Sequence, residues 1–439
     1  MKRTLILAAL LLSSAGPAAL MAQRTERTAY SFDFTATKDR DGVIAVTPAT
    51  TFTDEQGYGY DLGTAWDAAD RRATAPFFFS VNVPDGNYRV TVTLGSSRRA
   101  SVTELRAENR RLFVENAPVA KGKTETFTFV VNKRSPGFTR PDGKEDRVKL
   151  KPRELGYLTW DDKLTFEFNG EAPALRSLTI ERDDAVPTLF LCGNSTVVDQ
   201  FTEPYASWGQ MVTRWFGADV AVSNHAESGL TARTFIGGNR LDKILSMMKP
   251  GDWVVCEFGH NDEKERRPGD GAWYHYQYQL KIFIDEVRKA GGHITFCTPT
   301  QRRNFGADRR HIEPTHGDFP DAMREVARRE DVPLVELNEM TNTFFEALGY
   351  EDSKKSLVHY PAGTFPGQDK ALADNTHFNP YGAYEVAKMV IMGWKQLGLP
   401  MAQWLRPEWQ DFDPAHPDAP DAFVWPLCPI VDTTKPDGN

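Results

Sequence analysis

At 439 residues the chain exceeds what one hydrophobic core sustains, since single cores stop growing at about 250 to 300 residues, and it predicts two modules. Its 40% hydrophobic and 26% charged content is that of a globular protein and excludes global disorder. The net charge of −8, more negative still once Lys2 and Arg3 are removed, argues against an electrostatic grip on nucleic acid or anionic lipid.

Residues 1–22 set Lys2 and Arg3 before an apolar run over 5–12 and small residues up to Ala22. That is the layout of a secretory signal peptide cleaved near Ala22, and it predicts export to the periplasm or the exterior. The run is too short to span a bilayer, which takes about 20 apolar residues, and no cysteine follows it to accept a lipid.

From residue 23 to 183, short alternating segments at 77–83, 88–94, 125–131 and 163–168 are separated by turn residues, as in PDGN. This pattern predicts an all-β, antiparallel β-sandwich. The charged, turn-rich stretch 134–153 predicts an exposed loop.

Past residues 183–187 the character changes. Apolar runs at 188–192, 220–223, 253–258, 294–297 and 334–337 alternate with amphipathic stretches at 208–215, 241–248, 276–289, 321–329 and 381–397. Such alternation predicts an α/β domain over 187–400, its parallel sheet lying between helices and its ligands beyond the carboxyl ends of the strands. The Pro-rich residues 401–439 predict an extension packed on that domain.

Cys192, Cys256 and Cys297 fall inside the apolar runs, which predicts buried free thiols, and their spacing argues against structural zinc. Arg302, Arg303, Arg309 and Arg310 read as a solvated loop, with the lining of a cleft for an acidic polysaccharide as the other reading.

Four short motifs carry chemistry. The first buried strand ends in Gly193-Asn194-Ser195-Thr196, where a tight turn would hold a serine hydroxyl in the crevice; a Ser/Thr turn leading into a helix fits the same residues. Gly229 follows the second strand, able to present a backbone N–H or simply to close a loop. Gly259-His260-Asn261-Asp262 ends the third strand, where Asn261 could donate to an oxyanion or form an Asx-turn. Asp374-Asn375-Thr376-His377 lies on a predicted loop before a helix that Asn379 caps and Pro380 begins; it reads as a carboxylate orienting an imidazole, or as a solvated capping loop. Trp208 and Phe305 read either as core residues or as platforms for sugar rings.

In order, these blocks over residues 188–399 resemble the signature of the SGNH (GDSL-type) hydrolases, and SWGQ, NHAESGLTARTF and EFGHND are similar to the rhamnogalacturonan acetylesterases. The resemblance implies a flavodoxin-like fold for the α/β domain and a carboxylic ester hydrolase removing acetyl groups from plant cell-wall polysaccharide. It further implies Ser195 as nucleophile, His377 as base and Asp374 as its partner, with the N–H groups of Ser195, Gly229 and Asn261 as oxyanion hole. No metal or organic cofactor is implied, and the partner is an acetylated polysaccharide or oligosaccharide. Asn194 stands where many members carry Asp. The first module resembles galactose-binding-like domains only loosely. A lipase or thioesterase, or an inert carbohydrate-binding protein, are the alternatives.

Overall fold

The computed structural model describes residues 27–67 and 72–437, so the leader predicted over residues 1–22 lies outside the described residues. Ahead of residue 183 the chain forms two five-stranded sheets. One has the order Glu125–Lys133, Gly86–Leu94, Leu175–Arg182, Ala29–Asp33, Ile44–Ala45; the other runs Tyr58–Asp61, Phe77–Asn82, Lys163–Asn169, Ser101–Ala107, Arg111–Val119. Alternation sets the packing: Tyr88, Val90, Val92 and Leu94 are buried while Arg89, Thr91 and Thr93 between them are not. The same apolar cluster takes in Phe79, Val81, Phe166 and Phe168 from the second sheet. Pairing is antiparallel except between Ala29–Asp33 and Ile44–Ala45, which is parallel.

The stretch 134–153 departs from the exposed loop expected of it. Gly137–Thr139 and Glu145–Arg147 pair as a small hairpin, and Arg134 is buried. Its guanidinium bonds the Asn224 carbonyl and lies over the Trp160 ring at 4.3 Å. Charge misled here because its partners are remote in sequence.

Beyond residue 187 five parallel strands take the order Ala221–Asn224, Thr188–Gly193, Trp253–Glu257, His293–Cys297, Leu334–Val335. Alternate residues feed two cores. Leu189, Leu191 and Val255 face one side with Trp208, Val386 and Trp394, whereas Phe190, Cys192, Val254 and Cys256 face the other with Phe235, Leu280 and Phe283. Helices therefore cover both faces, as a parallel sheet requires. Thr188–Gly193 lies between the second and third strands, so the chain turns opposite ways at its carboxyl end and opens a crevice there.

The boundaries depart from expectation in places. The predicted strand 334–337 stops at Val335, because Leu337 opens the unpredicted helix Leu337–Asp352, whose buried Leu337, Thr341, Phe344 and Phe345 recur at helical spacing. The predicted helix at 208–215 is α-helical only over Trp208–Met211 and tightens to 3-10 over Val212–Trp215. All four cysteines are buried and free. No helix among the described residues is long and apolar enough to cross a membrane.

The two parts are bound tightly. The connection over 183–187 is held by an Arg89–Asp183 ion pair at 2.5 Å and by Lys249 Nζ donating to the Val186 carbonyl at 2.9 Å. The carboxyl-terminal extension touches both parts: Arg106 and Asn116 donate to the carbonyls of Pro426 and Val424, while Glu203 N–H donates to the Ile430 carbonyl.

Candidate active site

Ser195 sits just past the strand Thr188–Gly193, 5% exposed. Gly193 is required there by close approach: a Cβ would fall 2.4 Å from Val197 Cγ2 and 2.9 Å from the Glu257 carbonyl. The Ser195 carbonyl accepts from Ser207 Oγ at 2.6 Å and from Gln200 Nε2 at 3.1 Å, two fasteners that the motif did not reveal.

His377 Nε2 lies 3.0 Å from Ser195 Oγ, and His377 Nδ1 lies 2.7 Å from Asp374 Oδ2. The other carboxylate oxygen, Oδ1, accepts the N–H groups of Thr376 at 2.8 Å and His377 at 3.1 Å. Burial alone would raise the Asp374 pKa, but the hydrogen bond and charge of His377 and the two backbone donors outweigh it and hold the carboxyl at about 2. An ionised Asp374 accepts the proton on Nδ1, which leaves the Nε2 lone pair facing the serine hydroxyl. These residues lie not on a plain loop but in the strand Leu372–Phe378, paired with Leu357–Tyr360 across a register irregularity. The bulge lets Asp374 fold back on its own backbone. The helix Pro380–Gln396 then begins as predicted, Asn379 capping the Gly382 N–H.

Gly229 has φ +77, and a Cβ on it would lie 2.7 Å from Asp437 Cβ and 3.2 Å from Lys151 Nζ. Asn261 Nδ2 donates to the Leu230 carbonyl at 3.1 Å, which turns its amide toward the Gly229 loop; the amide carries two N–H groups, and this contact uses one. Asp262 clamps that edge by accepting from Ala232 N–H at 2.8 Å and Gly259 N–H at 2.9 Å. His260, its neighbour in the motif, is buried against Thr300 and His316, and burial lowers its pKa well below the usual value.

Asn194 Oδ1 accepts from Thr196 N–H at 3.2 Å and lies 3.0 Å from Thr196 Oγ1. That hydroxyl donates its proton to Glu257 Oε1 at 2.8 Å, while Trp208 Nε1 donates to Glu257 Oε2 at 2.6 Å. An aspartate at 194 would set two buried carboxylates about one hydroxyl, so the amide fits this surrounding. Trp208 is a core residue, 0% exposed, and Phe305 packs edge-on against Tyr350.

The four arginines do not form one patch. Arg303 is buried on the Tyr350 carbonyl, Arg302 pairs with Glu263 at 2.6 Å, and Arg309 and Arg310 are exposed. Glu265, Asp270 and His275 bring ligand atoms within 4.8 Å of one another, but Arg233 pairs with both carboxylates there and supplies the cation.

Two residues of the extension reach the site without any motif to announce them. Lys435 Nζ stands 3.7 Å from Asp374 Oδ2, and Asp437 pairs with Lys151 and Arg153 at 3.2 and 2.9 Å.

The sequence profile of the GDSL-like lipase/acylhydrolase family matches residues 191–383. Rhamnogalacturonan acetylesterase RhgT of Bacillus subtilis (strain 168) is 40% identical over 219 residues, spanning 49% of this chain and 93% of RhgT. The probable rhamnogalacturonan acetylesterase YesY of the same organism is 31% identical over 221 residues, 49% of this chain and 95% of YesY. A crystal structure of protein YXIM from Bacillus subtilis aligns with 85% of this chain and 99% of its own, at 23% identity and a TM-score of 0.45.

Proposed function

Because the chain belongs to the GDSL-like lipase/acylhydrolase family of carboxylic ester hydrolases, we propose that it removes acetyl groups from a plant cell-wall polysaccharide, rhamnogalacturonan in pectin, with Ser195, His377 and Asp374 as its triad. The observation that carries the triad is the unbroken relay from Ser195 Oγ through His377 to Asp374, at 3.0 and 2.7 Å. The named activity of the relatives supports the acetyl group and the polysaccharide.

His377 Nε2 takes the Ser195 proton as Oγ attacks the acetyl carbonyl. The N–H groups of Ser195, Gly229 and Asn261 meet the oxyanion of the tetrahedral intermediate. As that intermediate collapses, His377 returns the proton to the departing sugar oxygen. Water deprotonated by the same imidazole then attacks the acetyl-serine, acetate leaves, and Ser195 regains its proton. In this reading residues 187–400 are the catalytic domain, residues 23–183 an ancillary sandwich and residues 1–22 an export signal, the last supported by its charged, apolar and small-residue layout.

Acetate release from acetylated rhamnogalacturonan, acetylated xylan and short acyl esters tests the proposal. The wild type should prefer the first, and Ser195→Ala should release none. Activity surviving in Ser195→Ala overturns the triad, and a preference for xylan or for long acyl chains overturns the substrate.

A further inference from the structure

The turn between Ser101–Ala107 and Arg111–Val119 leaves the N-terminal sheets and lands on the irregular segment that follows Ser195. One guanidinium makes most of that contact. Arg110 Nε donates to the Gln200 carbonyl at 3.1 Å, Nη2 donates to the carbonyls of Thr202 and Tyr205 at 2.7 and 2.5 Å, and Nη1 pairs with Glu203 at 2.8 Å. Beside it Asn109 Nδ2 donates to the Asp199 carbonyl at 3.3 Å, and Arg111 Nε pairs with the Asp199 carboxylate at 3.2 Å. Residues 199–207 contain no helix and no strand beyond a single bridge at Glu203, so secondary structure does not occupy these carbonyls and the arginine does.

This segment in turn holds the reacting pair. Gln200 Nε2 donates to the Ser195 carbonyl at 3.1 Å, and the Tyr205 ring meets the His377 imidazole edge-on, 5.8 Å between centroids. The turn itself bears the mark of a constrained site. Glu108 and Arg110 both lie in the left-handed region, at φ +56 and +58, which side chains other than glycine keep only where their surroundings over-determine it. A lysine could not take over, since one ammonium has no rigid fork to span several carbonyls and a carboxylate.

We propose that Arg110 is a positioning residue: reaching in from the N-terminal sheets, it sets the segment 199–205 so that Gln200 and Tyr205 keep Ser195 and His377 in attack geometry. This rests on the triad assigned above, and it makes those sheets a working part of the active site.

The test compares Arg110→Lys and Arg110→Met, the latter in a Glu203→Gln background that removes the buried unpaired carboxylate, with Phe79→Ala in the core of the N-terminal sheets. Each is assayed for kcat and KM on a chromogenic acetyl ester, for Tm, and for the downfield proton resonance of His377 Nδ1–H. Misplacement by about an ångström should lower kcat of both Arg110 variants by about 10- to 100-fold. KM should hold within about twofold, and the resonance should broaden or move because its ring has lost its support. Phe79→Ala, though destabilised, should keep its kcat and its resonance. The proposal falls if Arg110→Lys or the double variant retains wild-type kcat and resonance, or if Phe79→Ala loses as much kcat for the same loss of Tm. Activity persisting in Ser195→Ala would bring down the triad and this proposal with it, whereas unchanged Arg110 variants overturn this proposal alone.

Discussion

Asp374→Asn exchanges one oxygen for an NH2 group at nearly constant volume, and the surrounding backbone dictates which oxygen it is. Thr376 and His377 aim their N–H groups at Oδ1 from 2.8 and 3.1 Å, whereas Oδ2 faces His377 Nδ1 at 2.7 Å. Turning the new amide over would set N–H against N–H, so its oxygen stays at the Oδ1 position and its NH2 group points at Nδ1. Lys435, 3.7 Å from Oδ2 and half exposed, can turn to solvent. Nδ1 must then accept, the ring proton moves to Nε2, and His377 donates to Ser195 instead of taking its proton. A base locked in the wrong tautomer costs about 10⁴ in kcat, roughly 5 kcal/mol of barrier.

Stability should suffer far less. The carboxyl is held down to about 2 in the folded protein, against an ordinary value of 3.8, so its contribution is full above pH 4 and is lost as pH falls toward 2. Removing it at pH 7 costs at most about 2.5 kcal/mol, the fall from 3.8 to about 2 taken at about 1.36 kcal/mol for each pH unit. Turnover of a chromogenic acetyl ester, with Tm measured on the same samples, separates the two effects. A folded Asp374→Asn enzyme that keeps a tenth of its kcat would refute the tautomer argument.

Asn261→Ala should lower kcat by about 10² to 10³ with little change in Tm, and steady-state kinetics showing an undiminished rate would remove Asn261 from the oxyanion hole. Trp208→Phe should cost about 2 kcal/mol in chemical denaturation, because it leaves the buried Glu257 carboxylate short of the donor now at 2.6 Å. Asn194→Asp should be destabilised, and more so as pH rises. Burial already raises the Glu257 pKa, so the folded state keeps a proton that the unfolded chain releases, and stability declines with pH through that window. A second carboxylate steepens the decline, and a Tm difference from wild type that does not widen between pH 5 and pH 8 would argue against it.

Much of the candidate site was legible because each of its motifs is a local feature of a strand end or a helix start. Ser195, Gly229 and Asn261 follow strands rich in apolar residues and buried along their whole length, as a sheet covered on both faces requires. Pro380 and Asn379 marked a helix start to the residue, since a cap depends on a few consecutive positions. What stayed hidden depends on distant chain. Arg134 reads as part of an exposed loop, and Arg110 bears no motif at all, until their carbonyl partners, some 90 residues away, come into view. The bulge that carries Asp374 and His377 exists only against Leu357–Tyr360. Lys435 and Asp437 reach the site from a tail with no periodicity to read.

The connection over 183–187 also bears on how such a molecule can be taken apart. Arg89 and Lys249 pin it from opposite sides, and Val186 within it is buried. Asp184 and Ala185 beside it are exposed, yet a cut there would free no self-contained half, because each would carry away arginines or carboxylates whose counter-charges stay on the other. The half that matches the hydrolase family is thus ill suited to being transplanted alone onto another scaffold.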